Sequence, residues 1–113
     1  MLKRGWKSRW IAALRSGKYK QAQSVLMKRS DTGKIKGYCC LGVLARVEGA
    51  RFDQSGRPHV GGVSVKQINN DELLDEAWSG LSYNIQDTLA RMNDDGMSFK
   101  KIATWIKKNV KAK

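Results

Sequence analysis

The apolar residues near the start of the chain recur at helical spacing. Between Arg4 and Ser16 they fall at i, i+4, i+7 and i+8, which is typical of a helix with one buried stripe, and Gly17 is a suitable stop. The stripe consists of Trp6, Trp10, Ala13 and Leu14. The other faces of this predicted helix carry five basic residues, Lys3, Arg4, Lys7, Arg9 and Arg15.

Residues 19–47 show the pattern of a β-hairpin followed by a buried helix. Two segments, residues 19–28 and 35–38, can extend as strands on either side of a turn signal at Asp31, Thr32 and Gly33. Residues 39–47 then form a wide apolar arc, too continuous for a surface helix, that is broken by Gly49. We predict a short, mostly buried helix over this arc.

The next segment is predicted to be a loop, because residues 49–69 hold four glycines and the only proline, Pro58. Residues 60–65 could return from this loop to the small sheet. The acidic stretch over residues 71–76 surrounds Leu73 and Leu74 and could be a loop or a helical turn.

Two more helices are predicted in the last third of the chain. The first has Ser82 as its candidate N-cap and should end near Gly96, and the second is capped by Ser98. In the second helix the apolar residues share one face and the lysines occupy the opposite one. The apolar residues are Leu81, Ile85, Leu89 and Met92 in the first helix, and Phe99, Ile102, Ala103, Ile106 and Val110 in the second.

Together these elements predict an α+β fold. We expect one small domain over residues 1–113, in which a short antiparallel hairpin or sheet is packed by about four helices and the chain ends in a helical hairpin. This length suffices for one core and leaves no room for a second domain. Four Trp and a hydrophobic content of 41% argue against a disordered chain.

Charge is segregated along the chain, which carries 22 basic and 10 acidic residues and a net charge of +12. Residues 1–38 hold eleven basic residues and one acidic residue (+10), and residues 39–69 hold four and two (+2). Residues 70–95 hold one and seven (−6), and residues 96–113 hold six and none (+6). Such a chain attracts phosphate backbones, anionic lipid or acidic protein surfaces, and an acidic DNA mimic is excluded.

The two cysteines, Cys39 and Cys40, are adjacent and cannot staple distant segments as in a secreted disulfide framework. No apolar stretch approaches the length of a membrane span, and no signal-peptide core follows the basic N-terminus. We therefore expect a soluble protein of a reducing cytoplasm, with no membrane partner.

Three stretches resemble a family of small proteins that occur widely in tailed bacteriophages and prophages. They are WIAALRSGKYKQ over Trp10 to Gln21, GYCCLGVL over Gly37 to Leu44, and MNDDGMSFKKIATWI over Met92 to Ile106. Residues 50–78 match this family poorly. The resemblance implies a phage origin and expression in the cytoplasm of a bacterial host, but it carries over no activity and no functional residue.

The basic residues at both chain ends are the candidate contacts to nucleic acid, because each phosphate that they neutralise releases counterions. A solvated helix face, favoured by the helix dipole near the C-terminus, is the competing interpretation of the last lysines. Tyr19 could stack on an unpaired base, whereas helical spacing favours core packing for Trp6 and Trp10. The predicted site comprises Lys3, Arg4, Lys7, Arg9, Lys18, Tyr19, Lys20, Lys100, Lys101, Lys107, Lys108 and Lys111.

Catalytic and metal chemistry find little support. Cys39, Cys40 and His59 leave tetrahedral zinc one ligand short, and Cys40 lies in an apolar arc where a free thiol packs as a small hydrophobe. Gly33 and Lys34 lack the rest of a phosphate-binding loop. A helix-turn-helix is less expected than an ordinary helical hairpin at the end of the chain. We predict no catalytic residue, metal or cofactor, and an enzyme is the least supported class.

Two hypotheses about function follow. The first is a phage-encoded protein that binds DNA or RNA through both basic chain ends. The alternative is an inhibitor or adaptor of a host defence or transcription protein, which would dock on an acidic surface. The acidic middle also permits a homodimer. The first hypothesis depends on whether residues 3–20 and 100–111 converge on one face.

Overall fold

The computed structural model describes all residues, Met1–Lys113, and confirms the α+β class. The helices are α1 (Arg4–Arg15), α2 (Cys40–Val47), α3 (Glu76–Ser79), α4 (Tyr83–Asp94) and α5 (Phe99–Asn109). The strands are β1 (Met27–Arg29), β2 (Ile35–Tyr38), β3 (Arg51–Phe52), β4 (Pro58–Val60) and β5 (Val63–Ser64).

The four longer helices lie where the sequence predicts them. Ser82 and Ser98 are the N-caps of α4 and α5, because their hydroxyls accept hydrogen bonds from the amides of Ile85 and Lys101, each at 3.3 Å. The predicted apolar face of α5 is entirely buried. The acidic stretch after residue 70 is mainly a loop and leads into the single turn of α3.

The first sheet is the predicted hairpin, but its first strand is shorter than expected. β1 pairs with β2 in antiparallel register, with Met27 opposite Tyr38. Residues 19–26 form no regular strand, because Ser24 adopts a left-handed conformation with a φ of 74° and donates its amide to Asp94. Only an isolated bridge between Gln21 and Tyr38 remains there.

The second sheet corrects the prediction for the glycine-rich segment. Residues 60–65 do not return to the hairpin sheet; β3, β4 and β5 form a separate three-stranded antiparallel meander. Gly61 and Gly62 connect β4 to β5 with φ angles of 58° and 80°. A two-residue hairpin turn with both residues in this region favours glycine, and the turn lets the chain pair with its own neighbour instead of reaching the first sheet.

Helix α2 forms the centre of the core. Six of its eight residues are buried, and the surrounding hydrophobic cluster extends from Leu2 to Val110. Gly42 lets the backbone of residue 26 lie directly against the helix, since a Cβ at this position would overlap the carbonyl oxygen of Leu26. That carbonyl accepts a hydrogen bond from the amide of Cys39 at 3.1 Å, so the hairpin and α2 are held together at this point.

The two ends of the chain meet. Leu2 and Ala112 form a parallel bridge, the amide of Arg4 donates to the carbonyl of Lys113 at 3.1 Å, and the amide of Lys113 donates to Leu2 at 2.9 Å. Helix α5 packs on α4, as a helical hairpin would, but its most extensive partner is α1. The first and last helices therefore lie side by side.

The buried face of α4 differs from the predicted one. Leu89 is buried, but Ile85 and Met92 are only partly buried, while two amides, Gln86 and Asn93, are 0% exposed. Gln86 donates to the carbonyls of Leu74 and Leu81 and accepts the amide of Leu74. These amides satisfy backbone groups of irregular segments that no helix or sheet pairs, which is what makes their burial favourable.

Asn93 joins three distant segments. Its Oδ1 accepts from the amide of Cys40 at 3.2 Å and from Nε2 of Gln21 at 2.9 Å, and its Nδ2 donates to the carbonyl of Ala22 at 2.7 Å. Gln21, Cys40 and Asn93 each belong to one of the three sequence stretches quoted above. Those stretches thus meet at one buried amide.

Two carboxylates of the acidic block lie close together. Glu72 is partly buried beside Asp94, and its Oε1 is a buried oxygen without a hydrogen-bond partner. Burial, followed by its hydrogen bond and repulsion with Asp94, raises the pKa of Glu72 from near 4.5 to about 7. The folded protein therefore binds the proton of Glu72 more tightly than the unfolded chain does.

Stability is expected to fall as pH rises from about 4.5 to 7, because the folded state binds this proton more tightly than the unfolded chain. Discounted for partial solvent exposure, the loss is about 1–2 kcal/mol. Urea denaturation of Glu72→Gln at several pH values should show a smaller decline than the wild type. The exposed Asp31→Asn serves as the control, and a Glu72→Gln profile parallel to the wild type would contradict the assignment.

Candidate nucleic-acid interface

One flank of α1 carries three cations. At about 100° per residue, Arg4, Lys7, Ile11 and Arg15 lie on one side of the helix, next to the buried stripe of Trp10 and Leu14. This flank faces α5, since Arg15 Nη2 donates to Thr104 Oγ1 at 3.3 Å and Lys7 Nζ donates to the carbonyl of Lys107 at 3.3 Å.

The facing flank of α5 is also basic. Lys100, Thr104 and Lys107 follow one another at i, i+4 and i+7, so they share the side of the helix that contacts α1. Lys111 lies just beyond the end of the helix, next to Ala112, which bridges to Leu2 beside the start of α1. Because the helices run antiparallel, Lys107 lies beside Lys7 and Thr104 lies beside Arg15.

Between these flanks lies an open groove of about 420 Å³. We call it the α1–α5 groove; its lining residues are Arg4, Lys7, Ser8, Ile11, Arg15, Lys107 and Ala112. Four of the seven are cations and none is a carboxylate. None of the five ion pairs of the protein involves these four cations, so their charges are available to an anion.

Arg9 does not belong to this groove. It lies on the opposite flank of α1, where Nε and Nη2 donate to the two carboxylate oxygens of Glu48 at 2.9 and 2.8 Å. The hydrogen bond to Glu48 raises the pKa of Arg9. A bidentate pair of this kind neutralises the guanidinium locally. The ion pair of Arg9 with Glu48 thus connects α1 to the end of α2.

The aromatic residues near the charge are engaged in packing. Trp10 is fully buried, and its Nε1 donates to the carbonyl of Cys40 at 2.8 Å. Trp6 packs on Trp78 with ring centroids 5.1 Å apart, and the ammonium of Lys3 lies 5.2 Å from its ring. The expectation that Trp6 and Trp10 pack on the core is therefore confirmed.

The remaining predicted contacts lie elsewhere. Lys18, Tyr19 and Lys20 lie in the irregular segment after α1, and the partly buried Tyr19 contacts Tyr38 edge to face at 5.6 Å. Lys101 and Lys108 lie on the outer side of α5, roughly opposite its buried face. The structure thus brings five of the twelve predicted residues to the α1–α5 groove and its continuation: Arg4, Lys7, Lys100, Lys107 and Lys111.

Arg15 lines the groove but is absent from the predicted site. Its position, eleven residues after Arg4, places it on the same helical flank as Arg4 and Lys7. This spacing could therefore have identified Arg15 as a groove residue from the sequence.

The cysteines are structural. Both are 0% exposed; the Cys39 thiol accepts the amide of Gly42 at 3.4 Å at the start of α2, and the Cys40 thiol donates to the carbonyl of Leu89 at 3.6 Å. Burial raises the pKa of Cys39 to about 12 and that of Cys40 well above its ordinary value. Neither is a thiolate near neutral pH, which disfavours nucleophilic chemistry at these positions.

Other candidate chemistry is sparse. No three side chains among His, Cys, Asp and Glu are grouped so that they could hold a metal ion. His59 lies 2.9 Å from Asp53 in an exposed pair of the second sheet. No helix has the length and apolar character needed to cross a membrane.

A family model described as a domain of unknown function, DUF8296, matches residues 2–56. This similarity covers α1, the first sheet, α2 and β3, and therefore one wall of the α1–α5 groove. Comparisons with curated proteins and with solved structures found no match.

Proposed function

We propose that the protein binds nucleic acid and that the α1–α5 groove is its main contact to the phosphate backbone. One observation carries the proposal: folding places the basic flanks of the first and last helices side by side, with no carboxylate in the groove between them. The competing interpretation, in which the last lysines only solvate a helix face, does not account for the unpaired cations of α1 that face them.

The size of the basic surface suits a duplex. A helix of 11 residues is about 17 Å long, and duplex DNA carries roughly one phosphate per 1.7 Å of axis. Six cations along the two flanks can therefore each meet a phosphate. They are Arg4, Lys7, Arg15, Lys100, Lys107 and Lys111.

Binding through this groove should depend little on base sequence. The groove is open and its polar side chains are cations and Ser8, which suit contacts to phosphate. Contacts to phosphate fix position and supply affinity without sequence information. Duplex DNA and duplex RNA are both expected ligands, since both present a phosphate backbone.

Salt dependence tests the proposal. If six cations meet phosphates, log Kd against log salt should change with a slope of about 5 in magnitude, since each contact contributes about 0.9. Fluorescence anisotropy with labelled DNA and RNA duplexes, at salt from about 50 to 200 mM, measures this slope. Absence of binding at the lowest salt would refute the proposal.

We also propose that the protein is phage-encoded and acts in the cytoplasm of a bacterial host, which is supported by the likeness of the three stretches described above.

The alternative partner is an acidic host protein. Capture of a partner from lysate that survives nuclease treatment, together with no duplex binding, would favour it. Light scattering at several ionic strengths tests for a homodimer held together by the acidic and basic blocks.

A further inference from the structure

A second cationic pocket lies between the β1–β2 hairpin, the end of α2 and β3. Its volume is about 370 Å³, and three arginines line it, Arg29, Arg46 and Arg51. No carboxylate lines this pocket. Its other four lining residues are apolar or aromatic, Ile35, Tyr38, Ala50 and Phe52, so it offers two kinds of contact to one ligand.

Arg29 is held rigidly in this pocket. Its guanidinium donates to three backbone carbonyls, those of Asp53 at 3.2 Å, Gly33 at 2.9 Å and Phe52 at 3.1 Å. It forms no ion pair with any carboxylate. The neutral carbonyls fix the planar group in place and leave its positive charge without a carboxylate partner.

The other two arginines are exposed and make no side-chain hydrogen bond or ion pair. The dipole of α2 accounts for Arg46 in the last turn of the helix, but it does not account for Arg51 on β3. The acidic residues nearest to them in the sequence are engaged elsewhere: Glu48 by Arg9, and Asp53 by His59 and by the amides of Ser55 and Arg57. Both guanidinium groups are therefore available.

The apolar part of the pocket is partly uncovered. Ile35 on β2 is 50% exposed, and Phe52 is partly buried. Phe52 is supported from one side by an edge-to-face contact with Tyr38 at 5.6 Å. Large apolar side chains beside arginines suit a ligand with a flat apolar body and an attached anion.

We propose that this arginine–aromatic pocket binds one unpaired nucleotide, with its base on Ile35 and Phe52 and its phosphate between Arg46 and Arg51. An inorganic anion would leave the apolar part of the pocket exposed, and a peptide of acidic residues alone offers no flat apolar group to cover it. The nucleotide can be free or part of a single strand. The proposal does not depend on the α1–α5 groove, because the two sites share no lining residue.

Amide NMR of the full chain tests this site with three probes: thymidine monophosphate, hexathymidylate and hexaglutamate. Both thymidine probes should shift the resonances of residues 46–52, and tighter binding of hexathymidylate would identify a single strand as the source. Comparable affinities for the two would identify the free nucleotide. Shifts of these residues by hexaglutamate with equal affinity, or by neither thymidine probe, would overturn the proposal.

A paired set of variants separates the two sites. Arg46→Gln with Arg51→Gln should weaken hexathymidylate binding at least tenfold, whereas Lys101→Gln with Lys108→Gln, which removes the same charge elsewhere, should not. The arginines make no internal bond, so the amide spectrum should show an unchanged fold. Lys7→Gln with Lys107→Gln should weaken duplex binding but leave the thymidine shifts intact; their loss in that variant would show that the pocket has no binding of its own.

Discussion

Replacing Lys7 and Lys107 together by glutamine is expected to weaken duplex binding roughly 50-fold at 0.1 M salt. Each phosphate contact changes log Kd by about 0.9 for every tenfold change in salt concentration. With 1 M salt as the reference, the loss of two contacts therefore weakens binding at 0.1 M salt by nearly two orders of magnitude. The slope of log Kd against log salt should also fall by about 2. Anisotropy titrations of the variant and the wild type over the same salt range measure both effects.

The matched control is Lys101→Gln with Lys108→Gln. It removes the same charge from the outer side of α5, and Lys108 directly follows Lys107 in the helix. Long-range attraction falls equally in both variants, so only groove contact distinguishes them. Equal losses of affinity would mean that net charge, and not the α1–α5 groove, determines binding. The fold should persist in both variants, because the side chains removed are on the surface and the one hydrogen bond lost, from Lys7 to a carbonyl, is exposed.

Replacing Asn93 by alanine is expected to lower the free energy of unfolding by about 3 kcal/mol. The amide is fully buried and makes three hydrogen bonds, so its removal leaves the amide of Cys40 and the carbonyl of Ala22 without this partner inside the protein. Buried polar groups deprived of a partner cost about 1–3 kcal/mol each, and the cavity adds to this. Urea denaturation followed by tryptophan fluorescence measures the change.

Asn84→Ala is the control on the same helix. Asn84 is exposed and lies in the first turn of α4, so its replacement should change stability by less than about 0.5 kcal/mol. A loss as small for Asn93→Ala would show that the junction of the three segments tolerates the missing amide. That result would contradict the role of Asn93 in holding residues 21 and 22 against α2 and α4.

The sequence was most informative about local structure. The helices α1, α2, α4 and α5, the serine caps of α4 and α5 and the turn of the first hairpin follow from periodicity and from the chemistry of single positions. Burial of Cys40 followed from the apolar arc around it. Each of these depends on residues within about two helical turns of one another, where spacing determines which side chains share a face.

Features that depend on distant partners could not be predicted in this way. Gln86 and Asn93 look like surface residues of a helix, and only the approach of residues 22, 40, 74 and 81 gives their amides backbone groups to satisfy. The second sheet escaped prediction because its strands are two or three residues long and separated by glycines. Strands this short carry too few positions to show an alternating pattern.

The same distinction between local and distant contacts applies to the candidate interface. The sequence alone determined the amount of positive charge, its location at both chain ends and the helices that carry it. Only the tertiary structure decided that α1 packs beside α5, which unites Lys7 and Lys107 across 100 residues and sends Arg9 to Glu48 instead. The physical reason is that helical spacing places each charge on a face of its own helix, whereas burial of Trp10 and Ile106 in a shared core determines which faces meet.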